Sequence, residues 1–177
     1  YDTVYIWADP VHVDNPLKGM LMSNAYKVQP NLIPYNKEIL LEIALENNHF
    51  PEHLSIYYYN VEKKEWNYMP SKFNSDSTYI QTNILSVEIF AIIKEIEAPV
   101  LSSFIPESNG TYYASDMEHI SCHVEDEFSG IDGETDVLVE LDGKRVILEY
   151  NSYQKKLRYQ LKYNLTPGKQ KLDDEAK

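Results

Sequence analysis

The sequence predicts an all-β chain built as two tandem β-sandwiches, and three observations predict it. Apolar and polar residues alternate with a period of two in several segments, whereas the period of 3.6 that is typical of an amphipathic helix is scarce. The 177 residues include 15 Tyr and only 6 Gly, a balance that favours strands over flexible linkers. The length suits two modules of roughly 80–100 residues each.

The alternation predicts about a dozen short strands spaced as in a sandwich. Apolar residues occupy every second position in four rows, which are residues 39–45, 120–124, 137–141 and 157–165. Residues 36–48 could be helical by propensity, but their strict alternation favours a strand. Asp142-Gly143 predicts a hairpin between residues 137–141 and 146–150, because this dipeptide suits a two-residue turn. A second predicted hairpin joins residues 54–59 to 66–69.

A module boundary is predicted at Glu97-Ala98-Pro99. An apolar strand ends at residue 93, charged residues follow it, and Pro99 cannot continue a strand ladder. We therefore predict modules at residues 1–97 and 98–177. Pro167-Gly168 predicts a turn before a last strand that the chain barely begins, so we expect the second sandwich to be truncated at that strand.

Composition excludes several classes of function. The chain carries 16 Lys and Arg against 28 Asp and Glu, a net charge of −12, which argues against nucleic-acid binding because phosphate neutralisation needs a basic face. The longest apolar run is only a few residues, so no membrane-spanning helix is expected. The lone cysteine, Cys122, excludes an internal disulfide and any multi-cysteine metal site.

Two segments resemble a known family. Residues 123–132 (HVEDEFSGID), followed by residues 137–143 (VLVELDG) and 165–170 (LTPGKQ), resemble bacterial immunoglobulin-like modules. Residues 56–60, 66–68 and 90–93 resemble a companion β-sandwich. The resemblance implies immunoglobulin-like or fibronectin-like sandwiches, and such pairs occur as non-catalytic accessory modules of large secreted or cell-surface bacterial proteins, including some lysostaphin-type zinc metallopeptidases.

No catalytic constellation is found in the sequence. His119 and His123 would converge on a metal from a helix, but a strand spaces them apart along its polar face. His12-Val13-Asp14 is a lone H-x-D motif without the further ligands that zinc peptidases need. There is no G-x-S-x-G elbow and no glycine-rich phosphate loop. We expect no enzymatic activity from residues 1–177.

Calcium is the one cofactor that the sequence suggests. Nine acids and no Lys or Arg lie between Glu118 and Asp142. Calcium takes six to eight oxygen ligands, which an acidic loop can offer. The best-placed candidates are Asp126, Ser129, Asp132 and Asp136. The alternative is that the first three cap tight turns through hydrogen bonds from side chain to backbone.

Two surfaces could bind partners. Alternation places Tyr57 and Tyr59 on the strand face opposite Leu54 and Ile56, where Trp66 could join them as a ligand-binding aromatic row that stacks on sugars or anchors a protein. The alternative is that this face packs against other parts of the protein. The basic residues from Lys144 onward could contact an anionic polymer, or could pair with the acidic strands.

We therefore expect a non-catalytic structural, adhesion or assembly module of an extracellular or envelope-associated bacterial protein. Its expected partners are other domains of the same chain, other protein subunits or cell-wall glycan, with no nucleic acid and no membrane span. Two alternatives stay open: accessory domains that position substrate for a secreted zinc peptidase, and a carbohydrate-binding module.

Overall fold

The structure of the protein is a computed structural model that describes residues 5–30, 36–45, 53–107, 110–113, 116–131, 137–161 and 172–176. The chain divides into two compact units, Tyr1–Glu97 and Ala98–Lys177. The described residues form sixteen β-strands and no α-helix, so the all-β class is as predicted, whereas the strands outnumber the dozen expected. No helix in this part of the chain is long and apolar enough to cross a membrane.

The described residues of the first unit form nine strands. They are β1 (Trp7–Val11), β2 (Gly19–Leu21), β3 (Ala25–Gln29), β4 (Ile39–Ala44), β5 (Leu54–Asn60), β6 (Glu65–Met69), β7 (Lys72–Phe73), β8 (Tyr79–Ile84) and β9 (Ile89–Glu95). The large sheet has the order β1-β3-β9-β5-β6, with β2 also paired to β9, and the small sheet has the order β4-β8-β7. Every pair is antiparallel.

The core of the first unit joins its two sheets. Ile56, Phe90 and Ile92 come from the large sheet and pack in one cluster with Ile43 and Ile80 of the small sheet. Four of these five side chains are at most 1% exposed, so nearly all of their apolar area is removed from water. The strand predicted over residues 39–45 is confirmed as β4, and its apolar side chains at every second position face this cluster.

The hairpin predicted between β5 and β6 is confirmed. Tyr59 pairs with Trp66 and Asn60 with Glu65, which leaves a four-residue connection. The Asn60 Oδ1 atom accepts hydrogen bonds from the backbone N–H groups of Glu62 and Lys63, each at 3.0 Å. This side chain therefore supplies acceptors that the turn backbone lacks.

Seven strands lie in the part of the second unit that the structure describes. They are β10 (Val100–Ile105), β11 (His119–Glu125), β12 (Val137–Leu141), β13 (Lys144–Val146), β14 (Glu149–Asn151), β15 (Lys156–Gln160) and β16 (Leu172–Ala176). The four-stranded sheet has the order β10-β11-β15-β14, and the β12 sheet has the order β13-β12-β16. Cys122, Val124 and Leu157 of the four-stranded sheet share a core with Val137 and Val139 of the β12 sheet.

One expectation for the second unit needs correction. The Asp142-Gly143 hairpin joins β12 to β13 as predicted, but residues 146–150 are not one strand. The chain leaves the β12 sheet after Val146 and enters the four-stranded sheet at Glu149, because the buried Leu148 turns into the core between them. The last described strand, β16, pairs with β12 along all five of its residues.

Candidate functional site

The predicted aromatic row exists on the face of the large sheet that points away from the core. Tyr57 lies opposite Tyr68, and Tyr59 lies opposite Trp66, on the paired strands β5 and β6. The rings of Tyr57 and Tyr68 meet edge to face with centroids 5.7 Å apart, and those of Tyr59 and Trp66 are tilted at 5.1 Å. These distances are typical of favourable aromatic pairs.

Burial decides what this row can contact. Tyr57 is 1% exposed and Trp66 is 8% exposed, whereas Tyr59 is half-buried. The Trp66 Nε1–H donates a hydrogen bond of 3.2 Å to the backbone carbonyl of Asp14, so the segment after β1 reaches across to this face. A sugar ring needs an open aromatic face, which leaves Tyr59 as the member of the predicted row that a ligand could reach.

The acidic turn after β11 is built by hydrogen bonds within the protein. The Asp126 Oδ1 atom accepts the backbone N–H groups of Phe128 at 2.9 Å and Ser129 at 3.1 Å, and Oδ2 accepts the Ser129 hydroxyl at 2.9 Å. Both carboxylate oxygens therefore cap the turn, as in an Asx-turn. Asp132 and Asp136 lie outside the described residues. Among the residues that are described, no three His, Cys, Asp or Glu side chains come together as metal ligands.

The histidines and the cysteine of β11 lie on opposite faces of one strand. His119 and His123 share the face that points away from the core, and four residues of strand separate them by roughly 14 Å. Cys122 is 4% exposed and packs in the core, where a thiol behaves as a small apolar side chain.

An ion pair stands at the tip of the neighbouring hairpin. The Lys155 ammonium bonds to Glu125, and that hydrogen bond is the main reason that the pKa of Lys155 is raised above its ordinary value of 10.5. Desolvation opposes the shift, and the charges of Glu125 and Glu127 add to it. Since the Lys155 side chain is 47% exposed, solvent screens this pair, and its role is to hold the hairpin tip beside β11.

Sequence reasoning missed Ser121, which lies between His119 and His123 on the same face of β11. Ser121 is 1% exposed, and its Oγ is the only buried side-chain polar atom of the described residues without a hydrogen-bond partner. Another buried hydroxyl, Thr82 Oγ1, donates to the carbonyl of Pro70 at 2.8 Å. The H-x-S-x-H spacing placed Ser121 on the polar face, but no sequence signal indicates burial there.

Comparisons with known proteins found no relative of the chain. No family model, curated protein or solved structure matches the chain.

The described surfaces differ in what they can do chemically. The aromatic row is largely committed to packing, and the acidic turn has both Asp126 oxygens engaged. The outward face of β11 and β15 is different, because a buried hydroxyl there has unmet hydrogen-bonding capacity and lies opposite Arg158. Such a face is suited to a ligand that hydrogen-bonds to the hydroxyl.

Proposed function

We propose that the chain is a pair of immunoglobulin-like β-sandwich modules that serve as a non-catalytic structural module of a larger extracellular bacterial protein. The observation that carries the proposal is strand order. In the immunoglobulin fold, strands A-B-E-D form one sheet, and C joins F in the other, with C′ added beside C in variable-type domains. Lettered in chain order from β10 to β16, the second unit has sheets A-B-E-D and C′-C-F.

The first unit supports the same plan in a modified form. Lettering β4 to β9 in chain order as B to F gives a B-E-D sheet and an F-C-C′ sheet. Strand β3 lies beside β9, on the side away from β5, and is antiparallel to it. That is the place of strand G, which in the immunoglobulin fold follows F in the chain. Here a strand that precedes B occupies it.

The proposed work of these modules is to space and organise neighbouring parts of a surface protein. Sandwiches whose sheets share one core are rigid blocks, while their loops and edge strands are available for partners. The resemblance of residues 123–132 and 137–143 to bacterial immunoglobulin-like modules favours the cell surface or secreted setting. The carbohydrate-binding alternative rested on Tyr57, Tyr59 and Trp66, and burial of Tyr57 and Trp66 disfavours it.

Stretching the full chain between two handles in an optical trap tests the proposal. Two independent sandwiches are expected to give two cooperative unfolding steps. At roughly 3.5 Å per residue, the 97 residues of Tyr1–Glu97 release about 340 Å and the 80 residues of Ala98–Lys177 about 280 Å. A chain that extends gradually, or in one step, would refute the proposal of two rigid modules in series.

The matched control removes one core side chain from the second unit. Leu157 is fully buried in that unit, and Leu157→Ala is expected to lower the force of the shorter step while leaving the longer one unchanged. Equal weakening of both steps would contradict independent modules.

A further inference from the structure

The buried hydroxyl of Ser121 lies on the face of the four-stranded sheet that points away from the core. Its neighbours on this face are larger. Arg158 lies directly opposite on β15, Ile105 lies opposite on β10, and His119 and His123 lie two residues away on β11. Because directly opposite Cβ atoms are about 4.5–5.5 Å apart, the small Ser121 side chain lies close to Ile105 and Arg158, with a histidine on either side of it along β11.

A hydroxyl in this position is costly unless something bonds to it. Burying a polar group without a partner costs on the order of 1–3 kcal/mol, and most buried groups avoid this. An apolar residue of similar size would remove the cost, since Ala also fits a small buried position. A partner that binds from the outer side of the sheet would satisfy this hydroxyl and remove the cost.

The charges around Ser121 specify the chemistry of that partner. The Arg158 guanidinium donates to the amide oxygen of Gln160 at 3.3 Å, and no carboxylate of the described residues lies within ion-pair distance of it, although Glu149 is opposite on β14. Lys156, opposite His123, likewise has no ion-pair partner in that part of the chain. In a chain of net charge −12, these donors on one face favour an anion.

We propose that this face binds an oxyanion of the phosphate type, with Ser121 and Arg158 as its principal donors. The Arg158 side chain exchanges its long bond to Gln160 for a forked pair of hydrogen bonds to two phosphate oxygens, which suit its planar geometry. Its movement exposes the Ser121 hydroxyl, which donates to a third oxygen. A ring N–H of His119 or His123 supplies a further donor at either side.

The phosphate could be free or esterified, because the proposed donors contact only its oxygens. The test titrates the full chain with inorganic phosphate in one arm and glycerol phosphate in the other, at constant ionic strength, and follows backbone amide shifts by NMR. We expect saturable shifts confined to β11 and β15. Binding in the first arm alone identifies free phosphate, and equal binding in both arms identifies the phosphate group of an ester as an acceptable ligand. Shifts spread over the chain, or none in either arm, overturn the proposal.

Three variants make the test specific. Ser121→Ala and Arg158→Gln are each expected to weaken binding about tenfold, the loss expected for one hydrogen bond to a charged group. Arg145→Gln removes the same charge from the exposed strand β13 of the β12 sheet and is expected to change the affinity less than twofold, within measurement scatter. Wild-type affinity in Ser121→Ala, or an equal loss in Arg145→Gln, refutes the site.

The stability of Ser121→Ala separates this role from a structural one. If the hydroxyl serves a ligand, its removal in phosphate-free buffer leaves the unfolding midpoint of the second unit unchanged or raises it, because an unpaired buried group is lost. A lower midpoint in phosphate-free buffer would show that the hydroxyl stabilises the fold itself, and would overturn the proposal.

Discussion

Replacing Trp66 by Phe tests whether the segment after β1 is anchored on the large sheet. The indole N–H of Trp66 donates to the carbonyl of Asp14, 52 residues earlier in the chain. Phe keeps an aromatic ring beside Tyr59 but cannot donate this hydrogen bond. Trp7→Phe is the matched control, because Trp7 is 51% exposed and its N–H bonds only to Asp9 on the same strand.

The expected loss follows from two contributions. A net hydrogen bond contributes about 1 kcal/mol to stability. Shrinking a side chain that is 8% exposed removes roughly 1–2 kcal/mol more, because the buried area falls and the neighbours fill the space only in part. We expect Trp66→Phe to lower the free energy of unfolding of the first unit by about 2–3 kcal/mol. Trp7→Phe should stay within about 0.5 kcal/mol of the parent, as exposed substitutions usually do.

Tryptophan fluorescence is the natural assay, because both tryptophans of the chain lie in Tyr1–Glu97. It therefore reports unfolding of the first unit alone. With a urea slope of about 1–2 kcal/mol per molar, a loss of this size lowers the midpoint by about 1–3 M. The reasoning is refuted if Trp66→Phe shifts the midpoint no more than Trp7→Phe does.

Three further predictions concern the second unit. Leu157→Ala should cost about 2–5 kcal/mol in the transition seen by circular dichroism, while the tryptophan transition of the first unit stays in place; a shared shift would contradict separate units. Gly143→Ala should lower the stability of the second unit in thermal unfolding by about 1–2 kcal/mol. The cause is backbone strain alone, because Gly143 has φ of +72° and an added Cβ would meet nothing within 4 Å. Unchanged stability would disprove this reasoning. Since the pKa of Lys155 is raised in the folded state, its ion pair with Glu125 stabilises the second unit below pH 10.5 and is lost as the pH rises through the folded pKa. Urea titrations below and above that pH should show a fall in the free energy of unfolding in the parent and a smaller fall in Lys155→Met. The same pH dependence in both proteins would show that the ion pair is not its cause.

Local patterns in the sequence were enough for most strands. Alternation over residues 120–124 predicted β11. One face of this strand packs in the core and the other points away from it, so apolar and polar residues alternate along its sequence. The Asp142-Gly143 turn was also predictable from sequence, because this dipeptide favours a two-residue hairpin turn in which both residues have positive φ, as they do here.

These local patterns could not predict which sheet a strand joins or which distant segments come together. Residues 146–150 look like one strand, but the side chains alone do not say that Val146 and Glu149 belong to different sheets. Alternation placed Tyr57 on the face opposite Leu54 and Ile56, yet the hydrogen-bond partner of Trp66 on that face is the carbonyl of Asp14, far away in the chain. Burial of Ser121 has the same origin, because it depends on strands paired across the sheet.

What the outward face of a sheet can bind or pack against depends on the side chains that it carries. On the large sheet, that face includes Ala91 and Ile93, which are fully buried, so it works as a second packing surface of the first unit. On the four-stranded sheet, the corresponding face carries His119, His123 and Arg158 around one buried hydroxyl. Apolar side chains can be covered by any apolar segment, whereas the buried Ser121 hydroxyl needs a partner that can hydrogen-bond to it. For this reason the proposed ligand site is on β11 and β15, while on the aromatic row only Tyr59 is open to a ligand.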